Sequence, residues 1–222
     1  LEFRRVLFRS GEEEEEEEQE PPPLFVFYDF ECMQETGVHK PNLCVVHLGC
    51  GECIGHPSDE LCPDCPWRKE GEGPSRVKVF KGPNTLEETG QWMMSLNTKM
   101  EYKPNRRGKK RKRREDGEEA DEEETDPEQF LPILLIAHNY RGYDGHLLLQ
   151  FFHKHIVKAP QLTLRGQHIL QMVIGRLTFK DSLNFLTMGL KEFPKSFGLK
   201  ELCKGYFPHL FNTEANQDYV GP

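Results

Sequence analysis

The sequence predicts one α/β domain that carries a small cysteine-rich insertion. Two strand-like apolar runs, residues 24–30 and 133–137, are set apart by loop-forming and helical stretches. A helical pattern follows the second run directly, and this change of hydrophobic period is the signature of an α/β chain. Two C-x-x-C pairs, Cys50/Cys53 and Cys62/Cys65, lie between the runs. At 222 residues the chain can bury one sizeable core.

Bulk charge says little. The formal net charge is −8, but eighteen of the 37 acidic residues fall in two runs, 12–20 and 115–128, and eight of the 29 Lys and Arg lie within 106–114. The remaining 19 acids and 21 bases nearly cancel, so charge names no partner. No apolar run reaches the ~18 residues of a membrane helix, and no membrane association is expected. Residues 1–10 (LEFRRVLFRS) lack the apolar core of a signal peptide. They resemble the in-frame translation of a sequencing-library adapter and are excluded from the fold, which leaves the true N-terminus outside this chain. Seven Cys, four of them in paired spacing, fit a reducing intracellular compartment with metal better than secretion.

The elements follow in order. Residues 11–23 are an acidic and Pro-rich stretch, self-repelling and disordered. Aromatic and β-branched residues after Pro23 predict a buried strand over 24–30. Residues 42–48 (NLCVVHL) predict an antiparallel neighbour reached by a turn near Gly37. Residues 76–80 (RVKVF) alternate like a short strand, and 84–100 carry Leu86, Trp92, Met93 and Leu96 near helical spacing behind an Asn84 or Thr85 cap. Residues 104–128 form a charged, low-complexity insertion expected to be disordered. Residues 133–137 (ILLIA) suit a central strand. A helix is expected over 145–157 with Leu147, Leu148, Phe151, Phe152 and His155 inward, then a hairpin of 169–174 and 176–179 turning at Gly175, then helical structure over 182–190.

The first strand ends in Asp29 and Glu31. Side chains alternate along a strand, so both carboxylates point to one side. Two buried, unpaired negative charges do not serve stability, and a divalent cation is the best reason for them. The second key stretch, residues 137–144 (AHNYRGYD), follows the apolar strand and opens a helix, at the strand end where α/β folds place ligands. Asp144 alone could be an N-cap and Asn139 alone a turn residue. Together with Asp29 and Glu31, Asp144 can complete a site for two Mg²⁺ ions about 3.5–4 Å apart, which suits phosphodiester cleavage.

These residues resemble the first two exonuclease motifs of family B DNA polymerases: DFE at 29–31 and N-x-x-x-Y-D from Asn139 to Asp144. The run 180–186 (KDSLNFL) resembles the D-S-L motif of the protein-primed branch, and 205–209 (GYFPH) with 216–222 look most like polymerases of Maverick/Polinton-type mobile elements and related viruses. The resemblance spans 24–222 apart from the charged insertion. It implies an RNase H-like mixed sheet flanked by helices, the 3′-5′ exonuclease domain of a DNA-directed DNA polymerase used in replication. Asp29, Glu31 and Asp144 would be catalytic metal ligands. Asn139, Tyr143, Ser182 and Leu183 would contact a single-stranded 3′ end, with Tyr143 stacking on a base or sugar. Primer–template DNA and a terminal protein primer are the implied partners. Cys32 stands where phage relatives have a DNA-contacting hydroxyl, and no role is carried onto it. The chain stops at Pro222, before the segment where the family's third exonuclease motif is expected; Tyr219 lacks a following Asp and does not substitute, and the polymerase domain is not in the chain either. The fragment is therefore expected to be weakly active or inactive alone.

Cys50, Cys53, Cys62 and Cys65, in an insertion over 44–67, match a tetrahedral structural zinc, with Cys44, His47 and His56 as possible substitutes. Unbound thiols or a disulfide pair are the plainer alternatives. The basic block 109–114 (KKRKRR) reads as a nuclear import signal or as a solvated linker. His138, His146, His153 and His155 read as core or surface residues. Two other functions compete: a degenerate mobile-element remnant that holds single-stranded DNA or a terminal protein without cleaving, and a free-standing DnaQ-like exonuclease. The latter would need Asp218 as its last carboxylate, in a stretch that reads as a loop.

Overall fold

The computed structural model describes residues 23–54, 56, 58–69, 71, 73–98, 131–156, 159–199, 207–219 and 221. The adapter-like start, the acidic run, the insertion 104–128 with its basic block, and Gly205 and Tyr206 lie outside them. Seven strands form one sheet: β1 (Leu24–Met33), β2 (Lys40–Gly49), β3 (Val77–Lys81), β4 (Ile133–Ala137), β5 (Gln161–Arg165), β6 (His168–Ile174) and β7 (Leu177–Asp181). Their order is β3-β2-β1-β4-β7-β6-β5. β1 pairs antiparallel with β2 and parallel with β4, and β4 pairs parallel with β7. ILLIA is thus a central strand, as its composition demands.

Among the described residues, four α-helical segments accompany the sheet: α1 (Gly51–Ile54), α2 (Thr85–Ser95), α3 (Asp144–His155) and α4 (Phe193–Phe197). α2 and α3 lie side by side on one face. Beneath them Val26, Tyr28 and Phe30 of β1, Val46 of β2, Ile133 and Leu135 of β4, and Leu177 and Phe179 of β7 form the core with Leu148, Phe151 and Phe152 of α3. Gly90 of α2 permits this close approach, because a Cβ there would run into the Phe151 ring. Gly175 has φ 58° and turns the β6–β7 hairpin. Asn97 braces that turn, accepting from Arg176 N–H at 3.0 Å and donating to Ile174 O at 3.2 Å. Among the described residues, no helix is long and apolar enough to cross a membrane.

Three expectations are corrected, and one strand is added. The first strand is buried on one face only: Phe25 and Phe27 stack at 6.1 Å on the other face, where Phe27 and Asp29 are exposed. His155 points outward, with Glu87 3.1 Å away, although its ring still stacks on Phe151. Helical structure over 182–190 is reduced to a 3-10 turn at Ser182–Asn184. Asn184 Nδ2 donates to Leu170 O on β6, which ties the chain to the sheet after one turn. Strand β5 was not expected, and all five of its residues are exposed, so no buried alternation marks it.

Candidate active site

The parallel pairing of β1 and β4 builds the site. Phe27 lies opposite Ile136, so the C-terminal end of β4 arrives beside Asp29. The chain then turns through Asn139, whose φ of 68° is left-handed, and a 3-10 turn at Tyr140–Gly142. α3 starts at Asp144, directly beneath β1, and Asp144 Oδ1 accepts from Phe30 N–H at 3.2 Å. Asp144 is thus no N-cap; Tyr143 holds that position. Asp29, Asn139, Tyr143 and Asp144 line one cleft of about 360 Å³, with His138 and Lys191 at its walls.

The two carboxylates of this cleft differ sharply. Asp29 is exposed, while Asp144 is 2% exposed. Burial pushes the Asp144 carboxyl up to about 7, the negative charge of Asp29 adds to the rise, and the Phe30 amide opposes it. A buried carboxyl whose neighbour is a second carboxylate, and whose recorded partners are backbone amides, fits a cation site on the chemistry of its donors. Glu31 follows Asp29 on the same face but does not line this cleft; its Oε2 lies 3.7 Å from His209 Nδ1.

The residues expected to hold a DNA strand form a braced cluster. Tyr143 Oη lies 2.7 Å from His39 Nδ1 and the rings meet edge to face. Burial holds the Tyr143 phenol protonated well above its ordinary range, and burial likewise raises the neighbouring Cys32 thiol to about 11. Ser182 Oγ lies 2.8 Å from His138 Nδ1, so Ser182 reaches the cleft through His138. Ser182 and Leu183 do not line it themselves.

Asp181, part of the D-S-L-like run but given no role by the sequence, braces the site. It is fully buried and accepts three backbone N–H bonds, from Asn139 at 3.0 Å, Arg141 at 2.9 Å and Leu183 at 2.8 Å, with Arg141 Nε at 3.7 Å. One side chain thereby locks the turn that carries Asn139 to the turn that carries Leu183. The signal was present: Leu177, Phe179 and Asp181 share the buried parity of β7. The contacts of His39 and His209 left no local trace in the sequence.

The cysteine insertion closes on itself. The sulphurs of Cys50, Cys53, Cys62 and Cys65 lie within 4.8 Å of one another, with Cys50–Cys62 at 3.5 Å and Cys53–Cys65 at 3.6 Å. Four thiolates at ~2.3 Å from zinc would place their sulphurs about 3.8 Å apart. All four are free thiols, and the substitutes Cys44, His47 and His56 stand outside the cluster. Burial works against ionisation of Cys53, but backbone donors at Cys62 and Cys50 outweigh it and bring the thiol down to about 6. Burial pushes Cys62 up to about 12 and raises Cys65 as well. The buried Arg76 anchors the loop to the sheet, donating to Leu48 O, Cys53 O and Ser58 O at 2.9–3.0 Å. Trp67 Nε1 donates to Gly49 O at 2.9 Å.

Fold and cleft define a mixed α/β domain with an acidic site where the central strand β4 ends beside β1. Residues 132–221 match the family model of DNA polymerase type B, organellar and viral. A comparison with curated proteins gave no match. Among solved structures, the chain is similar to phi29 DNA polymerase complexed with primer–template DNA and incoming nucleotide substrates, at TM-score 0.53 and 12% identity, covering 90% of this chain and 27% of that one. The orthorhombic crystal form of phi29 DNA polymerase gives TM-score 0.49 with the same identity and coverage. At this identity the likeness concerns the fold.

Proposed function

We propose that this chain is the 3′-5′ exonuclease portion of a protein-primed family B DNA polymerase, an RNase H-like domain that removes nucleotides from single-stranded 3′ ends. The observation that carries the reading is the convergence of Asp29 and Asp144 in one cleft with Asn139 and Tyr143, where β4 ends beside the parallel strand β1. The match of residues 132–221 to type B DNA polymerases supports it. Asp29, Glu31 and Asp144 would hold two Mg²⁺, and these would supply an activated water and charge stabilisation at the leaving oxygen.

The chain's own residues do the rest. Asp144 would release its proton to solvent before serving as a ligand. Asn139, exposed on its left-handed turn, offers an amide to the strand, and Tyr143, fixed by His39, offers a ring face. Lys191 places a positive charge at the rim, where a phosphate would pass. In the same reading a structural Zn²⁺ is held by Cys50, Cys53, Cys62 and Cys65, and the contacts to primer–template DNA and a terminal protein concern the whole polymerase.

The test uses a 5′-labelled single-stranded oligonucleotide with Mg²⁺ or Mn²⁺. Divalent-dependent binding and slow shortening from the 3′ end are expected, and Asp29→Ala removes both. Shortening that survives Asp29→Ala and Asp144→Ala, or binding indifferent to divalent ions, overturns the reading.

A further inference from the structure

A second cavity, of about 590 Å³, lies beside the acidic cleft and plays no part in the site described above. Its position follows from strand register. Glu31 of β1 faces Leu43 of β2, and Leu43 faces Lys81 of β3. Directly opposed residues project to the same face, so this row runs from a carboxylate of the proposed metal site into the cavity wall. Leu43 and Lys81 line the cavity together with Phe207, Phe211 and Tyr219. His209, one residue from the lining Pro208, is the group that stands 3.7 Å from Glu31.

The wall is built rather than incidental. Asn42 is 4% exposed, and its Nδ2 donates to Asn212 Oδ1 at 2.6 Å and to Gln217 Oε1 at 2.7 Å. Asn212 Nδ2 returns a bond to Asn42 Oδ1 at 3.0 Å, and Gln217 Nε2 donates to Asn212 Oδ1 at 3.1 Å. This amide network fixes the C-terminal segment to the sheet edge and consumes most of the hydrogen-bonding capacity of the amides. The rest of the lining includes an aromatic pair, Phe211 and Tyr219, packed edge to face with ring centroids 4.9 Å apart, and one exposed ammonium at Lys81.

We propose that this cavity binds one nucleotide unit, its base against Phe211 and Tyr219 and its phosphate at Lys81. The chemistry is that of a stacking platform with a phosphate contact, in a volume normal for a small-ligand site. Because the amides bond one another, the base is held by its faces rather than read at its edges, so purine and pyrimidine are both accepted. The unit is either a released mononucleotide or a nucleotide of the bound strand. That Glu31 belongs to a metal site rests on the exonuclease reading; the position and composition of the cavity do not.

The experiment titrates the whole chain with dAMP, dTMP, thymidine and a short oligothymidylate. dAMP and dTMP are expected to bind within about threefold of each other, as face stacking is sequence-tolerant. Phe211→Ala or Tyr219→Ala weakens binding by at least about tenfold, the loss expected for one stacked base. Lys81→Ala, an exposed change that leaves the fold intact, weakens dTMP and spares thymidine. An effect on dTMP assigns the mononucleotide, and an effect confined to oligothymidylate assigns the strand; both support the cavity. Binding of every ligand unchanged within about twofold in all three variants overturns it. If Asp29-dependent 3′ shortening is found while the cavity variants are neutral, the inference fails and the exonuclease reading stands. The reverse pattern separates the two in the other direction.

Discussion

Replacing Asp181 with Ala removes the acceptor that joins the two turns of the site. Three backbone donors at 2.8–3.0 Å lose their partner, and the Arg141 guanidinium loses its counter-charge. A hydrogen bond to a charged group contributes about 1.5–3 kcal/mol, and three of them are not additive because they share one carboxylate. The Arg141 side chain is partly exposed, so the orphaned amides carry the cost; at about 1–3 kcal/mol for each unsatisfied buried group, and less than additively, about 3–5 kcal/mol is expected. With a urea slope of about 2 kcal/mol per molar, the midpoint falls by about 2 M. Asp181→Asn keeps an acceptor at Oδ1 for Asn139 and Leu183 but turns an amide donor toward the Arg141 N–H, so it falls between wild type and Ala. Ser182→Ala, which leaves those three amides paired, costs less than about 1 kcal/mol. Urea unfolding of the three variants checks the order. If Asp181→Ala costs no more than Ser182→Ala, the clamp is not what holds the two turns together.

Three further outcomes are expected. Purified protein carries about one Zn²⁺ per chain, and stripping it with a strong chelator red-shifts the emission of Trp67, now 4% exposed against the cysteine loop; absence of zinc with four freely titratable thiols counts against the site. Gly90→Ala drives a methyl into the Phe151 ring between α2 and α3 and costs about 1–3 kcal/mol by thermal or urea unfolding. Asp144 is raised in the fold to about 7 from an ordinary 3.8, so in metal-free protein its stabilising contribution is full below about 4 and is lost as pH rises through about 7. Mn²⁺ opposes that loss by binding the ionised form, so the Mn²⁺-induced rise in Tm grows between pH 6 and 8 and flattens in Asp144→Asn.

The elements that the sequence announced are those with one dominant period. ILLIA is apolar throughout and became the central strand β4; Leu147, Leu148, Phe151 and Phe152 recur at helical spacing and became the inner face of α3. Composition predicts β1 but not its exposure, because aromatics occupy both parities and Phe25 and Phe27 mask the open face. The hidden parts depend on distant partners. His39 and Tyr143 are 104 residues apart, and no local pattern could join them. The stretch after β7 has helical composition, yet Asp181 captures the Leu183 amide and Asn184 reaches Leu170 O, so tertiary bonds end the turn that propensity would extend.

The site therefore divides into what is written locally and what the fold supplies. Spacing alone put Asp29 and Glu31 on one side of a strand and Asp144 at the head of a helix. The fold supplied an asymmetry that spacing could not: Asp29 is open to solvent while Asp144 is buried beneath β1 with a carboxyl raised to about 7. Three equally solvated carboxylates would form a charged surface. On the proposed reading, a buried carboxyl raised to about 7 beside an exposed one would instead couple cation binding to proton release near neutral pH. The buried position of Asp144 is in turn maintained by the loop that precedes it, and that loop is fixed by Asp181. A carboxylate without a metal-binding role thus sets the geometry of one proposed to have it.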